Sequence, residues 1–176
     1  KRDPNTKSTT RDVAKILDNL MRERVSGIVI DLRDNGGGSL IEATQLTDLF
    51  IDKGPVVQIL NSDNYVDRRH RAMDSVNYDG PLLVVVNHLS ASASEIFAGA
   101  IQDYQRGLVV GEQTYGKGTV QTLMPLYKGD LKITESKFYR VSGDSTQHRG
   151  VVPDISFPSL LPFDEIGESA LDYALP

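Results

Sequence analysis

The sequence predicts an α/β domain: a layered fold with a largely parallel β-sheet flanked by helices. Two short runs, residues 27–32 and 82–86, are apolar at successive positions, the pattern of strands buried on both faces. Each run leads through small or polar residues into a stretch with helical spacing. The order helix, strand, helix, strand, strand, helix, strand is that of layered domains whose parallel strands are joined by crossovers.

The elements follow in chain order. Residues 1–8 are polar and loop-like, and Ser8, Thr9 or Thr10 can cap a helix. Val13, Ile16, Leu17, Leu20 and Met21 recur at three- and four-residue spacing, which predicts a helix over 10–24. After Ser26-Gly27 comes the first apolar strand, and Arg33-Asp34-Asn35-Gly36-Gly37-Gly38-Ser39 is a turn. Ser39 and Glu42 match a capping box, so a helix is expected over 40–50. Gly54-Pro55 stops it before a strand at 56–60. Residues 61–80 read as a polar loop with a basic cluster at Arg68, Arg69, His70 and Arg71. Beyond the strand at 82–86, a helix is expected over 93–104 and strands over 108–110, 119–126 and 131–139. The tail from Val151 is interrupted by prolines and predicts one short helix near 165–173. There is no internal repeat and no low-complexity segment.

A chain of 176 residues, 39% hydrophobic, suits one domain with one core. The net charge of −5 argues against nucleic acid or an anionic membrane surface as the main partner. With no cysteine there is no disulfide frame, thiol nucleophile or thiolate-bound zinc. No apolar stretch approaches the roughly 20 residues needed to span a bilayer. No signal peptide is visible, and the chain opens on Lys1-Arg2-Asp3-Pro4 without an initiator methionine, so it reads as a fragment or as a processed or trimmed chain.

The chemistry concentrates between residues 90 and 121. Ser90-Ala91-Ser92-Ala93-Ser94-Glu95 lies where a buried strand ends and a helix begins. The carboxyl ends of strands are where α/β sheets place their sites. Free N–H groups and the dipole at a helix N-terminus favour negative charge. Attack by Ser92 would put an oxyanion near the Ala93 N–H, one half of an oxyanion hole. The competing reading is a capping box, with Ser92 as cap and Glu95 reaching back.

Gly36-Gly37-Gly38 also joins a central strand to a helix, so it is either a tight turn or the second half of the hole. If the two apolar strands pair in parallel, their downstream ends bring these glycines beside Ser92.

Lys117 follows Ser92 by 25 positions, inside Gly116-Lys117-Gly118. Residues 111–118 approach the phosphate-binding pattern G-x-x-x-x-G-K-[ST] but fail it twice. Gly118 replaces the metal-binding hydroxyl, and Thr119-Val120-Gln121 continues as a strand where a helix is needed. As a general base, Lys117 would have to be buried enough to lose its proton near neutral pH. Serine–lysine pairs are a known variant of the hydrolytic triad. The three histidines, His70, His88 and His148, show no metal-ligand spacing. A triad using His88 or His148 with Asp31 or Asp103 stays open at this level.

These blocks, in this order, strongly resemble the tail-specific, or C-terminal processing, serine peptidases. The blocks are Ile30-Asp31-Leu32-Arg33-Asp34-Asn35-Gly36-Gly37-Gly38, the serine run through Ile96, Gly111-Glu112, and Gly116-Lys117-Gly118-Thr119-Val120-Gln121. Gln102-Asp103-Tyr104, Phe138-Tyr139-Arg140-Val141 and Gly150-Val151-Val152-Pro153-Asp154-Ile155 are most similar to the proteobacterial periplasmic branch. The resemblance covers roughly residues 9–157. It implies a crotonase/Clp-protease-like layered core over residues 1–157 with a C-terminal tail over 158–176. It implies Ser92 as nucleophile, Lys117 as general base and Gln121 orienting the lysine. The amides of Ala93 and of Gly38 or Gly37 would form the oxyanion hole. Asp103 matches a family position implicated in activity and is expected to give structural support. No cofactor or metal is implied.

The implied partners are protein or peptide substrates with apolar C-termini, bound with the help of a PDZ domain expected elsewhere in a longer chain. The implied location is the periplasm, possibly at the inner membrane. Three features depart from the family: no PDZ-like segment, no helical flanks and a short link at 127–131. They motivate a rival reading as a catalytically silent scaffold of the same fold. Four residues of straight strand span about 13 Å, so Gln121 reaches Lys117 only if the chain bends near Gly118 or the contact is relayed.

Overall fold

The computed structural model describes residues 7–70, 76–159, 162 and 165–176. The first helix, α1 (Thr9–Arg22), is capped by Ser8, whose hydroxyl accepts the Arg11 N–H at 3.3 Å. It packs on α2 (Leu40–Asp48), capped in turn by Ser39. The Glu42 carboxylate ties the two starts together, accepting the Thr10 N–H at 3.0 Å and the Ser8 hydroxyl at 3.0 Å.

The parallel sheet contains β1 (Ile28–Asp31), β4 (Leu82–Val86), β5 (Leu108–Gly111) and β8 (Ile155–Ser156), in the order β1-β4-β5-β8. Ile28 pairs with Leu82 and Asp31 with Val85, so the downstream ends of β1 and β4 lie side by side. A second sheet is antiparallel: β2 (Pro55–Asn61), β3 (Val66–His70), β6 (Thr119–Pro125) and β7 (Asp130–Tyr139), in the order β3-β2-β7-β6. Helix α3 (Ala93–Asp103) contacts β5 of the first sheet and β2 of the second. It is buried along Ser94 to Ile101, and a helix apolar nearly all round belongs at the centre of a core. Phe97 stands edge-on to Phe50 with ring centroids 5.7 Å apart. Each such fully buried side chain contributes about 1.5–3 kcal/mol relative to leaving it in water.

The α/β class and the parallel sheet agree with the expectation, and three local readings are corrected. The predicted loop 61–80 contains β3, an edge strand whose Arg69 pairs with Asp67 at 2.8 Å. Its sequence, Val66-Asp67-Arg68-Arg69-His70, is charged because an exposed edge carries charges that discourage further pairing. Arg71 of the basic cluster lies outside the described residues, as do residues 1–6 of the predicted N-terminal loop. The expected helix at 165–173 is a 3-10 turn, Glu168–Ala170. The two-residue strand β8 is too short to show in a hydrophobic pattern.

The short link at 127–131 is a hairpin turn, in which the Leu126 N–H donates to Gly129 O at 2.9 Å. Residues 165–176 fold back on the body. The Glu168 N–H donates to Tyr115 O at 3.0 Å, and Gln147 Nε2 donates to Leu175 O at 2.6 Å.

Candidate active site

Of the three serines, only one lines the cavity that Lys117 also lines. Ser90 is fully buried, and its hydroxyl donates to Leu32 O at 2.8 Å. Ser94 is buried, and its hydroxyl donates to Asn35 O at 3.0 Å. They tie the turn after β4 and the start of α3 to the chain that follows β1. Ser92, half-buried between them, lines a cavity of about 400 Å³ together with Gly36, Gly38, Ala93, Lys117 and Gln121. Its backbone has φ 56° and ψ −112°, a conformation that L-residues rarely adopt. A serine held on a sharp, strained strand-to-helix turn projects its hydroxyl clear of the sheet.

The glycine turn is pressed against this elbow. Gly37 has φ +94°, and a Cβ there would lie 2.6 Å from Ala91 O and 2.8 Å from Ala93 N. Both are backbone atoms that cannot swing aside. Gly37→Ala is therefore expected to cost more than about 1 kcal/mol and to displace the Ser92 turn. Thermal unfolding together with the rate of Ser92 labelling by a phosphonate checks this, and unchanged values in both contradict it. The Gly37 N–H is already given to Asn35 Oδ1 at 3.0 Å. Among the described residues the Gly38 and Ala93 amides donate to no partner, and both line the cavity. Of the two glycines left open by the sequence, Gly38 is the one with a donor to offer.

Lys117 is half-buried, and its Nζ donates to Gln121 Oε1 at 3.1 Å. The contact is direct although the two residues are four apart. Lys117 precedes β6, and a register irregularity between Val120 and Gln121 breaks the straight-strand geometry. Gln121 Nε2 continues to Thr134 Oγ1 at 3.4 Å. No hydrogen bond joins the Ser92 hydroxyl to Lys117 Nζ in this state. Such contacts are often long without substrate and tighten when it binds. The phosphate-loop reading fails as the sequence indicates, because the residues after Gly118 form β6 and offer no helix N-terminus.

The residue that the sequence reading undervalued is Glu95. Its Oε2 accepts the Ser92 N–H at 2.7 Å, as a capping box requires. The same oxygen accepts the Lys117 N–H at 3.0 Å. Its Oε1 accepts the Gly116 N–H at 2.8 Å and the Thr114 hydroxyl at 2.6 Å. One fully buried carboxylate thus holds the serine elbow and the lysine loop in register. Burial raises its pKa from 4.5 to about 7, against the opposing pull of its four donors. The Ser-x-x-Glu spacing was the only signal in the sequence, and it points to the cap alone.

Asp103 lies at the far end of α3, about 15 Å along an 11-residue helix from Ser92. It accepts from Arg140 at 2.5 Å and from the Ser142 N–H at 3.3 Å, joining α3 to the chain after β7. The histidines stand apart from Ser92. The buried His88 ring contacts the Gln113 and Ile166 carbonyls, and His148 Nε2 meets Leu175 O at 2.8 Å. Asp31 pairs with Arg33 at 2.6 Å, which lowers its pKa through the hydrogen bond to that side chain. His70's side chain and Arg71 lie outside the described residues.

A model of peptidase family S41 matches residues 4–157, most of the chain. The chain belongs to this family. The S41 chain is 47% identical over 176 residues to the tail-specific protease of Haemophilus influenzae, covering 94% of itself and 25% of that protein. It is 42% identical over 142 residues to the carboxy-terminal-processing protease of Bartonella bacilliformis, covering 80% of itself and 33% of that protein. It therefore spans only a quarter to a third of the length of these relatives. Among solved structures it superposes on the photosystem II D1 C-terminal processing protease with a TM-score of 0.78 at 35% identity. That match covers 92% of this chain and 42% of that one. Among the described residues no helix is long and apolar enough to cross a membrane.

Proposed function

We propose that this S41 chain is the catalytic core of a serine endopeptidase that cleaves proteins near their C-terminal ends through a Ser92/Lys117 pair. The observation that carries the reading is one cavity lined by Ser92, Lys117 and Gln121, with the unspent amides of Gly38 and Ala93 on its wall. Lys117, as the neutral amine, takes the Ser92 proton as Oγ bonds to the scissile carbonyl carbon. The oxyanion accepts from Gly38 and Ala93. The C–N bond then breaks, and the lysine ammonium protonates the departing amine. Water attacks the acyl-enzyme, passes a proton to Lys117 and releases the acid, and that proton returns to Ser92. Gln121 holds Nζ in place between steps.

The names of the relatives, tail-specific and carboxy-terminal-processing, support action at C-termini. On the family resemblance we place the activity in the periplasm, on substrates with apolar C-termini. Recognition of those C-termini falls to a PDZ domain in a longer chain.

Lys117→Ala is expected to lower hydrolysis of peptides with apolar C-termini by about 10²–10⁴-fold, the share of a positioned acid–base group. The fold should persist, because the Lys117 contact to Glu95 is made by its backbone. Full activity in that variant would sink the pair. An acid limb that disappears with His88→Asn or His148→Asn would favour a triad, and absence of any Ser92 labelling would favour a silent scaffold.

A further inference from the structure

The cavity around Ser92 carries a charge that the peptidase reading leaves unused. Two lysines line it, Lys117 and Lys132, and no carboxylate among the described residues does, in a chain whose net charge is −5. Lys132 lies on β7, where Lys132, Thr134 and Phe138 share one face by the alternation of a strand. Phe138 and Lys132 line the cavity, and the Thr134 hydroxyl accepts from Gln121 Nε2. That face therefore looks onto the reacting groups. Glu135 lies on the opposite face and accepts from the Thr122 hydroxyl at 2.7 Å. Asp130, on the Lys132 face nearer the hairpin tip, makes no ion pair with it. Among the described residues the Lys132 ammonium has no hydrogen-bond or ion-pair partner.

We propose that Lys132 binds the terminal carboxylate of the substrate segment that departs as the amine, which places the scissile bond about two or three residues from the C-terminus. The assignment rests on the Ser92/Lys117 reading above. The departing amine must face Lys117, which protonates it, so the leaving segment runs along the wall that carries Lys117. On that wall Gln121, Thr134 and Lys132 follow in order. Lys132 stands one same-face step beyond Thr134, about 7 Å of strand. An extended peptide covers about 3.3 Å per residue, so about two or three residues bring its end to the ammonium. Leu123 pairs with Lys132 across β6 and β7 and is exposed. It offers the last substrate side chain an apolar neighbour while the carboxylate meets the cation. One carboxylate cannot sit on Lys132 and in a PDZ groove at once, so capture by a PDZ domain and seating in the cavity are successive events.

The test is hydrolysis, by the full-length protein, of peptides of one sequence that end about three residues beyond the scissile bond, followed by liquid chromatography. One form has a free C-terminal acid, one a C-terminal amide, and one an amide with glutamate as its last residue. For the wild type, kcat/KM for the acid should exceed that for the plain amide by about tenfold or more, the worth of a hydrogen bond to a charged group. Lys132→Met should lose that ratio, Lys132→Arg should keep it and Lys132→Glu should reverse it. Circular dichroism and Ser92 labelling by a phosphonate with no leaving-side residue confirm that each variant is folded with a reactive serine. Equal rates for acid and amide in the wild type, or a ratio that survives Lys132→Met, overturns the anchor and leaves the peptidase reading standing. Cleavage of the glutamate amide as fast as the acid overturns the C-terminal assignment, since a side-chain carboxylate then serves equally. No hydrolysis of any peptide together with no adduct on Ser92 overturns both.

Discussion

Replacing Ser92 by glycine is expected to abolish peptide hydrolysis and to make the protein more stable. Loss of a serine nucleophile costs on the order of 10⁶ in turnover, since the remaining groups cannot substitute for it. The stability gain has a separate cause. Ser92 is held at φ 56°, ψ −112°, where glycine is at ease and a side chain is not. Strain of this kind is worth about 1–3 kcal/mol, offset by about 0.5–1 kcal/mol for the greater freedom of glycine in the unfolded chain. A net gain of about 1 kcal/mol raises the melting temperature of a domain this size by roughly 2–4 °C. Ser92→Ala loses the same activity but keeps the strained conformation, so its melting temperature should not rise. Calorimetry on the two variants checks this, and a glycine variant that melts below the wild type contradicts the strain.

Glu95→Ala is expected to be the most damaging single change to the site that leaves the proposed reacting groups in place. It strips the acceptor from four donors at once: the amides of Ser92, Gly116 and Lys117 and the hydroxyl of Thr114. Each orphaned buried donor costs about 1–3 kcal/mol, and even with relaxation the total should exceed about 3 kcal/mol. Glu95→Gln is the finer probe, because its single oxygen serves two donors while its NH₂ faces the others. That variant should fold, lose about 1–3 kcal/mol and react slowly at Ser92. The carboxyl also carries a pH signature. Its pKa in the folded state is raised to about 7 from 4.5 by burial, so the folded state binds the proton more tightly than the unfolded chain. Its contribution to stability is fully present below pH 4.5, declines as pH rises towards 7 and is flat above. The ionised form satisfies all four donors, so alignment of Ser92 and Lys117 should improve as pH rises through about 7, where the folded-state carboxyl ionises. Melting curves and Ser92 labelling from pH 4 to 9 test this, and a glutamine variant with the wild-type pH dependence refutes it.

Much of the site was legible because it is built from local signals. A strand that is apolar on both faces, then glycines or serines, then a helix is a contiguous pattern. That pattern alone puts Gly36-Gly37-Gly38 and Ser92 at adjoining strand ends. The failure of the phosphate loop was legible for the same reason, since Gly118 and a following strand are local facts. The choice among serines was legible only through the family resemblance, which named Ser92, and not from the local pattern. Ser90, Ser92 and Ser94 are chemically alike, and what separates them is the acceptors of the first and last, Leu32 O and Asn35 O, nearly 60 positions away.

Sequence alone determined the class of fold, the order of its elements and the pair of turns that carry the candidate nucleophile, because hydrophobic periodicity and glycine placement act over a few residues. Tertiary structure decided which sheet each strand joins. It decided that Gly38 and not Gly37 has a free amide, and that the Lys117–Gln121 contact is direct. It also turned Glu95 from a helix cap into the joint between the two halves of the site. The physical reason is the same in each case. A hydrogen-bonding group is spent or free according to what the fold brings within about 3 Å of it, and that distance is set by packing between segments remote in sequence.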